Sequence, residues 1–320
     1  MKIVYQDNQL CLRGTTVAVY DYALHNKLIM GYDPVIVYDK NHRFNDSKVI
    51  SKFINTFGSE SVIGYQDTND MKRICDKVKA DIFYSMKAGL NDGIVADNIK
   101  NCIHSVFQLK QPHGDVYAYI SKWLADKMGG DYPNVPYIVD LPKVGGDFRE
   151  FLNIPRDAFV LGRHGGYDTF DIGFAKEAII ETINSRSNLY YVFVNTEPFY
   201  KHERIRYVDN IVGLDSKTKF INTCDAMIHA RNQGESFGLA IAEFSLLNKP
   251  VILYGGGVDL NHVEMLKNVG VFYKNKQELM NILLNYERND NMNYDVVSDK
   301  YSPSIVTNIF KDVFVGVTNT

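Results

Sequence analysis

Short apolar runs alternate with longer stretches of helical periodicity along all 320 residues. Residues 3–5, 34–38, 62–64, 81–84, 103–107, 116–120 and 137–139 read as buried strands, with helices at 17–30, 47–57, 69–79 and 121–128 between them. The alternation breaks at 140–147, where Pro142, Gly145 and Gly146 sit in a stretch without period, and restarts at 159–163. Strands follow at 189–195, 225–229, 251–254 and 271–273, with helices at 173–184, 216–223, 238–247, 261–268 and 277–286. Short buried strands separated by helices imply βαβ units and parallel sheets. The expected fold class is α/β. Two doubly wound, Rossmann-like domains, 1–145 and 146–300, would face across a cleft, and the closing segment 301–320 would form a helix packing across them. Open parallel sheets bind ligands outside the carboxyl ends of their strands, so the chemistry is expected on the loops that follow strands.

Composition narrows the partners. Hydrophobic residues at 45% and charged residues at 23% suffice for real cores. A net charge of -3 gives no general attraction to nucleic acid, so none is expected as a partner. No run reaches the ~18 apolar residues of a membrane span, which leaves only peripheral membrane contact open. The N-terminus meets polar residues after three apolar ones, as a first strand does and a signal peptide does not. Cys11, Cys75, Cys102 and Cys224 are scattered without a Cys-x-x-Cys pair, as expected of reduced thiols in a cytoplasmic protein. There is no Asp-x-Asp, no His-Glu-x-x-His, and no Gly-x-Gly-x-x-Gly after the first strand. Neither a metal nor a nicotinamide cofactor is therefore expected.

Glu235 and Glu243 lie eight residues apart on either side of Ser236-Phe-Gly238, where a helix is expected to begin. A helix start built from small residues offers unpaired N–H groups that attract phosphate. A carboxylate placed just before it would repel phosphate, but suits a neutral, hydroxyl-rich group carried beside one. The second carboxylate, about two turns along at ~1.5 Å rise per residue, suits a ribose. The spacing implies a nucleotide-sugar site.

Gly234-Glu-Ser-Phe-Gly-Leu-Ala-Ile-Ala-Glu243, followed by Asn248-Lys-Pro-Val-Ile252, resembles the signature of the retaining family-4 glycosyltransferases (glycosyl transferases group 1), which have the GT-B fold. Ser236 stands for the family's first Gly and Asn248 for the helix-ending one; Ser caps helices and Asn tolerates a left-handed cap. The resemblance covers the last half of the chain and the first half in outline. It implies a hexosyltransferase-type enzyme of glycan biosynthesis that needs no divalent metal. Such an enzyme passes a sugar from a nucleoside-diphosphate donor to the hydroxyl of a glycan, lipid-linked or small-molecule acceptor, with retention of configuration. By the same resemblance Glu243 takes the ribose hydroxyls and Glu235 the donor sugar, while Ser236, Phe237, Gly238 and Leu239 hold the diphosphate through backbone N–H groups. Arg163, in Phe159-Val-Leu-Gly-Arg163, matches the family's diphosphate-neutralising Arg. The Lys that accompanies it in the family has no counterpart, since Asp168, Thr169 and Phe170 occupy that stretch and His164 is the only other basic residue near.

In the first half, Gly14 and Thr15 resemble the family's loop into the first helix, and Arg13 beside them is a further phosphate ligand or a solvated residue. His104 is expected near the donor sugar, with His113 as a second candidate and Lys87 within reach of an acceptor. The loops 195–199 and 211–213, including Val212, would surround the nucleobase. Other readings share the fold: a sugar-nucleotide epimerase or phosphorylase, or an inactive module that binds nucleotide sugar or glycan.

Overall fold

The computed structural model describes residues 1–316, which divide into two compact units, Met1–Ile138 with the segment from Lys300 onward, and Val139–Asp299. In the first unit the order is β1 (Lys2–Asp7), α1 (Gly14–Met30), β2 (Asp33–Asp39), α2 (Ser47–Phe57), β3 (Val62–Tyr65), α3 (Thr68–Val78), β4 (Ile82–Lys87), β5 (Lys100–Ser105), β6 (Val116–Tyr119) and α4 (Lys122–Lys127). The second has β7 (Phe159–Arg163), α5 (Gly173–Thr182), β8 (Leu189–Val194), β9 (Ile205–Val208), α6 (Leu214–Thr223), β10 (Ala226–His229), β11 (Gly234–Glu235), α7 (Leu239–Leu246), β12 (Val251–Tyr254), β13 (Asp259–Leu260), α8 (Asn261–Leu266), β14 (Val271–Tyr273) and α9 (Lys276–Asn285). Two further helices, α10 (Ser298–Tyr301) and α11 (Pro303–Phe310), close the described chain.

Each unit carries a six-stranded sheet, ordered β3-β2-β1-β4-β5-β6 in the first and β9-β8-β7-β10-β12-β14 in the second. Every pairing in both sheets is parallel. The two orders are the same when strands are counted within each unit, so each sheet reverses direction once, between β1 and β4 and between β7 and β10. That reversal opens a crevice at the carboxyl ends of the central strands.

In the second unit consecutive strand residues enter different cores, as a period of two requires. Leu161, Tyr191, Ile228 and Ile252 pack with Ile179 of α5 and Leu279 of α9. Their neighbours Val160, Val192, Met227 and Val251 pack with Phe220 of α6 and Phe244 of α7. In the first unit α2 buries Val49, Phe53 and Phe57 on one stripe, and Asp46 caps it by accepting from the N–H groups of Lys48 and Val49. This is the periodicity that made the helix legible.

Two expectations change, and one strand went unread in the sequence. Residues 137–139 are not a strand; the chain passes there from one unit to the other, and Tyr22 Oη instead anchors the approach by donating to Pro136 O at 2.7 Å. The edge strand β9 carries four residues, too few for a readable period. The described part of the closing segment is grouped with the first unit: Phe310 lies 5.3 Å from Tyr22 and 5.2 Å from Tyr84, ring centre to ring centre. The last four residues of that segment, 317–320, lie outside the described residues.

Candidate active site

Glu235 and Glu243 both sit in the second unit beside the crevice between β7 and β10. Gly234 pairs with Asp259 and Glu235 with Leu260 in a two-residue parallel ladder, β11 with β13. Gly234 has φ +75°, and a Cβ there would come within 2.0 Å of Asp259 O. Only glycine fits this approach. Asn261 Nδ2 then donates to Phe237 O at 2.7 Å, which fixes the turn before α7, and Gly238 enters the helix at φ +95°. The start of α7 has no side-chain cap and no acidic residue in its first turn. No side-chain cap or first-turn carboxylate therefore offsets its positive end. At the other end Asn248 adopts φ +56°, the left-handed stop the sequence implied.

Glu243 is 3% exposed, which rules out a solvated helix face. Its Oε1 accepts from Lys217 Nζ at 2.7 Å, and Oε2 lies 3.1 Å from His164 Nε2. The latter pair is close without the alignment of a hydrogen bond, so Oε2 keeps its accepting capacity. Burial pushes the carboxyl up, but the Lys217 charge and the adjacent His164 outweigh it and hold it at about 2. Burial in turn depresses His164, whose ring stacks on Phe244 at 5.9 Å.

Glu235 has Oε1 at 3.2 Å from His229 Nε2 and Oε2 at 2.8 Å from Arg231 Nη1, with its side chain 22% exposed. Burial again raises this carboxyl, and the His229 hydrogen bond with the Arg231 charge brings it below the usual range. His229 and His262 lie with ring centres 5.1 Å apart. His262 Nε2 faces Tyr254 O at 3.1 Å; a carbonyl only accepts, so this nitrogen carries the proton. Burial and the neighbouring His229 lower His262 to about 4.

Arg163 ends β7 but is 4% exposed. Nη1 donates to Asn195 O and Thr196 Oγ1, and Nη2 to Gly166 O and Thr169 Oγ1. The guanidinium thus binds the loop after β7 to the loop after β8. Burial lowers it to about 10, so it stays charged. Val212, in the loop before α6, lines an apolar hollow of about 250 Å³ with Phe148, Phe151, Leu152 and Phe220.

The first-unit candidates divide differently. Gly14 opens α1, and a Cβ there would meet nothing within 4 Å. Thr15 is half-buried in the first turn, while Thr16 donates to Asp7 Oδ2 at 2.7 Å. His104 is corrected to a core residue. It is fully buried in β5, bonded through Nδ1 to Tyr84 Oη at 2.7 Å and packed on Phe314, and burial pushes it down to about 3. Lys87 is also enclosed: Nζ meets Asp92 Oδ1 at 2.5 Å, Ile94 O at 2.6 Å and His113 Nε2 at 3.2 Å. It ties two loops together and has no donor left for an acceptor.

Sequence reasoning missed Lys217, His229, Arg231 and His262. His229 ends an apolar strand and Arg231 lies two residues beyond it, where the signal was present. Lys217 approaches Glu243 from a separate helix, a contact no local spacing announces.

No family model matches this sequence, and no match was found among curated proteins. Solved structures do match in fold. HepE of Anabaena, in complex with UDP-glucose, superposes with a TM-score of 0.73 at 13% identity, covering 99% of this chain and 100% of that one. WaaG, a glycosyltransferase involved in lipopolysaccharide biosynthesis, gives 0.69 at 10% identity, with 98% and 100% covered. A putative UDP-N-acetylglucosamine 2-epimerase from Listeria monocytogenes gives 0.62 at 12% identity, with 100% and 98% covered. The chain has the two-sheet α/β architecture of GT-B proteins over its whole length.

Proposed function

We propose that this chain is a glycosyltransferase that moves a hexose-type sugar from a nucleoside-diphosphate donor to an acceptor hydroxyl with retention of configuration. One observation carries the reading. Glu243, buried, and Glu235, partly buried, are each paired with a cation and border the uncapped start of α7 at the crevice of the second sheet. In this reading Glu243 Oε2, which lacks a hydrogen-bond partner among the described residues, accepts from a ribose hydroxyl. Glu235 takes hydroxyls of the sugar, and the turn Ser236–Leu239 takes the diphosphate on its N–H groups. In this reading the leaving diphosphate itself helps remove the acceptor proton, so no dedicated base is required. The charge is met by arginine and helix N–H groups, which calls for no resident divalent metal.

The acceptor would be a glycan, a lipid-linked sugar or a small molecule, reached from a cytoplasmic location with at most peripheral membrane contact. Among the described residues no helix is long and apolar enough to cross a membrane. Release of nucleoside diphosphate from a panel of sugar nucleotides, UDP-glucose first, tests the proposal. Wild type should turn over one donor and Glu243→Ala should lose it. No turnover and no saturable nucleotide binding would sink the idea. The epimerase neighbour supports a second reading, in which product forms without any acceptor.

A further inference from the structure

A diphosphate leaving group needs a cation in contact with it, and the cations at this crevice are not equally available. Lys217 is paired with Glu243 at 2.7 Å, and the His164 ring lies enclosed between Phe220 and Phe244. The Nη1 and Nη2 groups of Arg163 already serve four neutral oxygens of its own loops, and no carboxylate lies within ion-pair distance of it among the described residues. Arg231 is also paired, with Glu235 at 2.8 Å, but only through Nη1 of its fork. It stands two residues beyond β10, the strand that pairs with β7 at the crevice, and its side chain is 27% exposed. Its guanidinium makes one hydrogen bond, Nη1 to Glu235 Oε2, among the described residues. No other donor of its fork has a partner among the described residues.

The local charges are unevenly engaged. Arg163 feels the Arg231 charge as well as the carboxylates of Glu235, Asp168 and Asp171, yet none of these carboxylates is in contact with it, and the uncapped start of α7 adds its own positive end. A buried guanidinium solvated only by dipoles is costly unless an anion completes the site. The geometry points to Arg231 as the side chain that contacts the donor diphosphate, with Arg163 behind it as a positioning residue that fixes the two loops and contributes its field. This rests on the nucleotide-sugar reading above. Arg231 supplies the second cation that the stretch after Arg163 lacks, and its planar fork suits two phosphate oxygens. Glu235 competes for the same fork, so its carboxylate sets how far Arg231 leans toward the phosphates.

The test is calorimetric titration of the nucleoside diphosphate that wild type binds, chosen from the uridine, guanosine and adenosine forms, and of its monophosphate. Arg231→Gln should weaken diphosphate binding about 10- to 100-fold, as expected for a lost charge-assisted hydrogen bond. Monophosphate binding should change much less, melting should be unaffected, and Arg231→Lys should recover part of the affinity. Glu235→Gln should strengthen diphosphate binding with Arg231 present and leave it unchanged in the Arg231→Gln background, a coupling that a merely structural arginine would not produce. Unchanged diphosphate affinity in Arg231→Gln, or equal losses for both nucleotides, overturns the assignment while leaving the donor reading intact. Wild type that binds no nucleoside diphosphate overturns both.

Discussion

Replacing Glu243 with Gln keeps the shape of the side chain and removes its charge. The carboxyl sits at about 2 in the folded chain against 4.5 for the free group, because Lys217 and His164 outweigh the burial that would raise it. A folded value below the unfolded one means stability that is fully present above about pH 5 and is lost as pH falls toward 2. At ~1.4 kcal/mol per tenfold, the gap is worth roughly 3 kcal/mol at pH 7, of which roughly 2 kcal/mol is gone by pH 3. The Glu243→Gln variant would also leave Lys217, 12% exposed, without a counter-charge, so a loss of about 3–5 kcal/mol is expected at pH 7. The measurement is urea unfolding at pH 7 and pH 3, followed by far-UV circular dichroism. The single tryptophan, Trp123 in α4, reports the first unit separately. The difference between wild type and variant should shrink by roughly 2 kcal/mol at the lower pH. An equal difference at both values would mean that the buried carboxyl is not held ionised, and the electrostatic account of the site would fail.

Three further outcomes are expected. His104→Leu should cost about 1–3 kcal/mol by leaving the Tyr84 phenol unpartnered, with donor turnover per folded molecule unchanged. The folded value of His104 is depressed to about 3, so its neutral form contributes stability above pH 6.5 that is lost as pH falls. The variant should unfold less steeply in acid by the same denaturation assay. Arg163→Ala removes four hydrogen bonds between loops and should lower the melting temperature, equivalent to ~3 kcal/mol, whether or not nucleotide is present. Gly234→Ala forces a Cβ into Asp259 O and should abolish nucleotide binding in the same titrations, while a far-UV spectrum shows the sheets intact.

Much of the fold was already written in local pattern. Buried runs such as Val251–Tyr254 are short, begin with β-branched residues and are apolar on both faces, so their strand character and parallel pairing follow from local composition. The Ser-Phe-Gly turn and the Asn248 stop were legible for the same reason, since each depends on what one residue's backbone tolerates. Arg163 shows the limit. Its position at the end of β7 was readable, but its partners come from loops three and more than thirty residues away, and they turn an expected ligand into a clamp. His104 fails similarly: a strand histidine looks the same in sequence whether it meets solvent or the Tyr84 hydroxyl and the Phe314 ring.

By itself, the sequence determined the two α/β repeats, the strand–turn–helix that carries Glu235 and Glu243, and the glycines and asparagine that shape it. These are consequences of backbone sterics and hydrophobic periodicity, which act over a few residues. Only the tertiary structure decided which charges face one another. Lys217 reaches Glu243 across 26 positions, and Arg231 lies across the crevice from Arg163 because β10 returns to pair beside β7. Electrostatic effects depend on distance through space and on burial, and neither is fixed by distance along the chain.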